Sequence, residues 1–393
     1  MFTARRMSRL GTETAFEVLA KAKELEARGK DIIHLEIGEP DFETPGHIKE
    51  AAVEALNQGY THYVPTPGIP EVRQSIAENV SRRRNIDVDW RQVVVTPGAK
   101  PIMFFTILAL AEEGREVIYP DPGFPIYESM IRFCGATPVP MRLAGERNYH
   151  PDLEELASCI NDRTCLVILN SPHNPCGSIL TREEIETVAE MVKSRDGLYV
   201  LSDEVYKDII YESTHFSIAS VPGMADKTII LDGLSKSYAM TGWRLGYGVF
   251  PEPLVEHIVK LAVNSVSCAN AFSQQAIIAA LEGPQDEVSA MKEEFRKRRD
   301  VLIDGLNNIP GIRCPVPEGA FYAFPNIEDT GLSSQEFEHR ALEEAGVAIL
   351  SGTAFGRYGE GYVRCSYANS VGNLQKAVER LEGLVRRTGQ QRP

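Results

Sequence analysis

The chain has 393 residues, 43% of them hydrophobic, and its 55 acidic and 41 basic side chains leave a formal charge of −14. That length supports one large and one small domain, each with its own core, and the acidic excess disfavours non-specific attraction to nucleic acid or anionic lipid. No apolar run approaches a membrane span, and the Arg5-Arg6 pair lacks the apolar stretch that an export signal needs, so a cytoplasmic location is expected.

In chain order, Phe16 to Ala27 reads as an amphipathic helix, with Thr12 and Thr14 before it as cap candidates. From Thr44 to about Pro284, helical patterns alternate with the apolar runs Val93 to Val95, Glu116 to Tyr119, Leu166 to Leu169, Leu198 to Leu201, Ile229 to Leu231 and Gly246 to Phe250. These runs are nearly continuous in Val, Ile and Leu, as in strands covered on both faces. Gln285 to Asn308 reads as a long polar connecting helix whose Phe295-Arg-Lys-Arg-Arg299 run is expected to be a solvated face. Ser333 to Ala345, Val347 to Leu350, Gly361 to Ser366 and Val371 to Arg386 read as α+β. The expected fold is α/β: a large domain, residues 44–284, with a mostly parallel sheet of about seven strands between helices, and a small α+β domain built from residues 1–43 and 285–393.

Seven cysteines form no C-x-x-C pair and suit reduced, mostly buried thiols. The eight histidines are scattered, and neither a P-loop nor a G-x-G-x-x-G is present, so no metal, nucleoside triphosphate or dinucleotide is expected.

Lys236 is the leading candidate for chemistry. It lies in Leu231-Asp-Gly-Leu-Ser-Lys-Ser-Tyr-Ala-Met-Thr-Gly-Trp-Arg244, among small and turn-forming neighbours at the end of an apolar run. An amine there can become a Schiff-base nucleophile, with Arg244 beside it to hold a phosphate. Taken alone, the stretch reads as a surface loop; other segments at strand ends give it company, where open α/β sheets place ligands. Thr96-Pro-Gly-Ala-Lys100 offers backbone amides at a helix start and one positive charge, or simply an ordinary strand-to-helix turn. Asp203 ends the run Leu198-Tyr-Val-Leu201, with Tyr206 three residues on. A carboxylate there needs a cationic partner such as a protonated cofactor ring, or serves as an N-cap. Asn174, between Pro172 and Pro175, presents its amide rigidly, although such stretches are often only turns. Arg364 follows Gly361-Tyr-Val: turned inward it clamps a carboxylate, turned outward it faces solvent.

Five segments in order resemble the class I and II aminotransferases, fold type I enzymes that use pyridoxal 5'-phosphate, over nearly the whole chain from about Leu35. They are Ile37-Gly-Glu-Pro-Asp-Phe-Glu-Thr-Pro45, Tyr63-Val-Pro-Thr-Pro-Gly-Ile-Pro-Glu71, Asn170-Ser-Pro-His-Asn-Pro-Cys-Gly177, Ser235-Lys236 through Gly242-Trp-Arg-Leu-Gly246, and Glu318-Gly-Ala-Phe-Tyr322.

The resemblance implies a role for each matching position. Lys236 carries the cofactor as a Schiff base and then shuttles the substrate Cα proton. Asp203 pairs with the pyridinium nitrogen, and Tyr206 and Asn174 donate to the ring 3'-oxygen. Gly98, Ala99, Lys100, Ser235 and Arg244 hold the phosphate, with Tyr63 reaching over from a second copy, which makes a homodimer the working unit. Phe124, in Asp121-Pro-Gly-Phe-Pro-Ile-Tyr127, stacks on the ring, unless it is plain core. Arg364 takes the substrate α-carboxylate with Gly38, and Asn174, Phe124 and Lys100 also face substrate. The implied activity moves an amino group from an L-amino acid, with aspartate favoured, to a 2-oxo acid, with 2-oxoglutarate expected, by ping-pong half-reactions.

The chain departs from the family pattern at several places. Many relatives carry tryptophan at Phe124 and serine at Gly233, so an indole N–H and one phosphate donor are missing. In Gly11-Thr-Glu-Thr-Ala15, relatives specific for aspartate place small hydroxyls that reach the partner's substrate; here Glu13 and Ala15 stand there, or Thr12 and Thr14 after a slip of one residue. An inward Glu13 opposes an acidic substrate side chain, whereas Lys100 attracts one. Fold and cofactor leave β-elimination, decarboxylation or oxidation as alternatives. A non-enzymatic effector-binding module is disfavoured, because the matching segment starts too near the N-terminus for a helix-turn-helix domain.

Overall fold

The computed structural model describes residues 3–390. Its centre is a seven-stranded sheet ordered Val93–Pro97, Leu245–Val249, Thr228–Gly233, Tyr199–Asp203, Thr164–Asn170, Glu116–Asp121 and Thr137–Arg142. Leu245–Val249 runs antiparallel to both neighbours, and every other pairing is parallel. The carboxyl ends of the parallel strands therefore share one edge, and the single reversed strand brings its amino end, with Arg244, to that same edge.

Six of the strands coincide with the apolar runs, within a residue or two for most. The seventh, Thr137–Arg142, carries Pro138 and Pro140 and sits at the sheet's rim, where a missing amide donor costs no ladder bond. Helices Lys100–Leu110 and Glu252–Val263 cover one face, where Ile102, Phe105 and Ile258 pack with Val117, Leu166 and Leu201.

Outside this sheet, Ile33–His34 pairs in parallel with Val347–Ala348, joining the early chain to the late chain. Leu350–Ser351, Val363–Ser366 and Tyr322–Ala323 form a three-stranded antiparallel sheet. The expected single strand Val347 to Leu350 is thus split into two, each serving a different sheet. Helix Ser334–Ala345 begins with a reciprocal cap between Ser333 and Glu336.

Two expectations fail locally. Helix Ala15–Ala27 forms and buries Val18, Ala22 and Leu25, but Thr14 at its start is already in the helical region and its hydroxyl makes no cap. The arginine run in helix Asp286–Asn307 is only half solvated: Arg296 and Lys297 are exposed, while Arg298 and Arg299 are buried. Arg298 reaches Asp41 at 2.6 Å and lies over the Phe42 ring; Arg299 grips Glu212 with two nitrogens. Long arginine stems bury well once their heads are paired, and those partners are distant in sequence.

Candidate active site

The shared sheet edge opens into a cavity of about 390 Å³ that collects almost all the candidate residues. Lys236, Asp203, Tyr206 and Asn174 line it, as do Phe124, Ala99, Lys100, Ser235 and Arg244 from the neighbouring loops. Gly38 and Arg364 close it from the side of the smaller sheets.

Lys236 Nζ donates to the Gly38 carbonyl at 2.5 Å. Burial, reinforced by the nearby Arg364 and Arg244 charges, pushes the amine down to about 8. An uncharged amine is therefore accessible near neutral pH, which a nucleophile requires.

Across the cavity, Asp203 is buried and accepts from the Tyr127 hydroxyl at 2.5 Å and from the Val205 amide at 3.4 Å. With no cation paired to it among the described residues, burial raises its carboxyl to about 6. Tyr206 donates to or accepts from Tyr322 through their hydroxyls at 2.7 Å.

Arg364 is fixed before any ligand arrives. Its two terminal nitrogens bond the Glu36 carbonyl at 2.5 Å and Asn174 Oδ1 at 3.2 Å, and its guanidinium rests on the Tyr322 and Phe355 rings. Its Nε is buried and unpartnered, so a donor remains for a carboxylate.

At the other end, Gly98 adopts a φ of +84° directly before helix Lys100–Leu110. That left-handed backbone favours glycine, and the Arg244 guanidinium lies close beside it, 2.3 Å from where a Cβ would stand. Arg244 itself holds a left-handed φ of 55° and bonds the Thr241 carbonyl at 2.8 Å.

In the strip before the first helix, Glu13 and Ala15 line the cavity, while Thr12 faces a separate cleft beside Arg9 and Arg357. Glu13 enters its own chain's cavity and pairs with Lys100. Two candidates do not line the cavity: Gly98, which lies behind Ala99, and Tyr63, which is 92% exposed.

A model of the aminotransferase class I and II family matches residues 30–381. The chain belongs to that family. This aminotransferase is 41% identical to an aspartate aminotransferase of Pyrococcus abyssi, with 94% of this chain and 95% of the relative covered. It is also 40% identical to an arginine–pyruvate transaminase of Pseudomonas aeruginosa, covering 93% of each. The solved structure of Thermus thermophilus aspartate aminotransferase with maleate superposes with a TM-score of 0.93 at 36% identity, over 98% of this chain and 100% of that one.

The family uses pyridoxal 5'-phosphate, and the side chains of this aminotransferase fit that group. Among the described residues, the Lys236 amine makes no ion pair and the buried Asp203 carboxylate has no cation, while Arg244 lies beside Gly98 just ahead of helix Lys100–Leu110. Among the described residues, no helix is long and apolar enough to cross a membrane, and no group of three or more His, Cys, Asp or Glu is placed to hold a metal ion.

No sequence signal assigns a role to Tyr127, to Tyr322 or to a buried charge network behind the site. In that network Arg84 bonds Glu204 at 2.8 Å and Asp232 at 3.2 Å, while Lys207 and Tyr247 also hold Asp232. Burial would raise the Glu204 carboxyl, but Arg84, His215 and Ser217 bring it down to about 2. Glu204 and Asp232 each precede or follow a cavity residue, Asp203 and Gly233, so the network anchors both strand ends. Arg84 joins this network to both carboxylates across more than a hundred residues of sequence.

Proposed function

We propose that this aminotransferase binds pyridoxal 5'-phosphate at Lys236 and transfers the amino group of an L-amino acid, aspartate foremost, to a 2-oxo acid, 2-oxoglutarate foremost. The observation that carries the proposal is a buried amine with a midpoint of about 8, in one cavity with the unpaired carboxylate Asp203 and the prearranged Arg364. When bound, the cofactor supplies an electron sink for the charge left at the substrate Cα.

The chain's residues do the rest. Gly98, Ala99, Lys100, Ser235 and Arg244 bind the phosphate, and Phe124 covers one ring face. Asp203, held by Tyr127, keeps a proton on the ring nitrogen; Tyr206 and Asn174 direct hydrogen bonds to the 3'-oxygen. Arg364 and Gly38 orient the substrate by its α-carboxylate, so that its Cα proton faces the Lys236 amine, which removes and returns it.

Lys100 receives the distal acid of a dicarboxylic substrate once it leaves Glu13. The large exposure of the Tyr63 aromatic ring supports a homodimer in which it reaches the other copy's phosphate site. A functional division at 1–43, 44–284 and 285–393 fits, because all seven central strands lie between Val93 and Val249.

The test is Lys236→Ala in protein supplied with the cofactor. Loss of transfer, and of borohydride-fixed cofactor, with an unchanged fold is expected; near-normal transfer overturns the proposal.

A further inference from the structure

Tyr322 ends the Glu318-Gly-Ala-Phe-Tyr322 segment, to which no function is attached above. Its side chain is 1% exposed yet lines the cavity, and three parts of the site meet on it. Its hydroxyl lies 2.7 Å from that of Tyr206. Its ring carries the Arg364 guanidinium carbon 4.5 Å from the centroid. The same hydroxyl would lie 2.2 Å from a Cβ at Gly38, the residue whose carbonyl accepts from Lys236. Packing alone would be served as well by phenylalanine, as it is at Phe321 and Phe324 on either side. A buried hydroxyl in that position needs a partner, and the partner it has is Tyr206.

We infer that Tyr322 is a positioning residue that sets the donor strength and direction of the Tyr206 hydroxyl toward the cofactor 3'-oxygen. The inference rests on the reading of Lys236 and Tyr206 given above. A phenol has one proton. If Tyr206 gives its proton to the cofactor oxygen, its own oxygen is left to accept, and Tyr322 supplies the donor. The Arg364 charge over the Tyr322 ring favours that polarity, and a donor that is itself donated to becomes stronger. Tyr322 thereby ties the carboxylate clamp to the ring contact: its face orients Arg364 and its edge orients Tyr206.

The experiment is a pH titration of the visible absorbance of cofactor-loaded protein, which reads the proton at the Lys236–cofactor link without turnover. Tyr322→Phe keeps the ring beneath Arg364 and deletes the hydroxyl. Its midpoint should move up by about 0.5–1 pH unit, the scale of one hydrogen bond, with KM for the amino donor little changed. In a Tyr206→Phe background the same substitution should add nothing, because its route is gone. An unmoved midpoint in Tyr322→Phe, or an equal shift in both backgrounds, overturns the inference. Should Tyr322→Phe fold poorly, Gly38→Ala displaces the hydroxyl by contact and must move the midpoint in the same direction. A wild-type protein that develops no visible band would refute the cofactor reading instead, so the two failures are distinct.

Discussion

Glu13 and Lys100 form an ion pair across the mouth of the active-site cavity, with the Glu13 side chain 20% and the Lys100 side chain 46% exposed. On the proposed reading, a dicarboxylic substrate held by Arg364 would have to displace Glu13 from Lys100 and then lie beside its negative charge. Replacing Glu13 with threonine removes the competitor and the repulsion. Glu13→Thr is expected to raise kcat/KM for aspartate by about 3–10-fold at low salt, less at high salt, as for a partly exposed charge. It should leave alanine turnover nearly unchanged. Steady-state kinetics at two ionic strengths checks this, and an unchanged aspartate value would remove Glu13 from substrate selection.

Lys236 captures an aldehyde only as the neutral amine. With its midpoint lowered to about 8, the neutral fraction grows as pH rises and saturates above that value. Stopped-flow measurement of pyridoxal phosphate capture by cofactor-free protein should show a rate rising about tenfold per pH unit from 6 to near 8, then flattening. A rate still climbing past pH 10 would mean that the amine keeps an ordinary lysine midpoint.

On the proposed reading, Arg364 offers its free N–H groups to the α-carboxylate that every amino acid shares. Arg364→Ala should lower kcat/KM about 100-fold for acidic, aromatic and small donors alike, chiefly through KM. A loss confined to acidic donors would assign Arg364 to the side chain and not the α-carboxylate.

Arg84 is the shared cation of Glu204 and Asp232, all three fully buried. Arg84→Met fills similar space but leaves two carboxylates facing each other without it. A loss of about 3–5 kcal/mol in urea unfolding is expected, and a loss below about 1 kcal/mol would show that Lys207 and Tyr247 suffice.

The candidate site was legible in sequence because its parts are local. Lys236 with Arg244, Asp203 with Tyr206, and Gly98 before Lys100 are short strings at strand ends, and a βαβ alternation carries every strand end to one edge by handedness and hydrogen bonding alone. The proline-bearing rim strand Thr137–Arg142 was invisible because an edge strand need not show the apolar run of a buried one.

What the tertiary structure alone decided are the pairings between distant segments. Glu13 with Lys100, Tyr127 with Asp203, Tyr206 with Tyr322 and Arg84 with Glu204 each join residues from segments distant in sequence. Local periodicity records which face of an element is apolar. It does not record which buried polar group meets which, since that is settled only when packed elements must satisfy every donor and acceptor they hide from water.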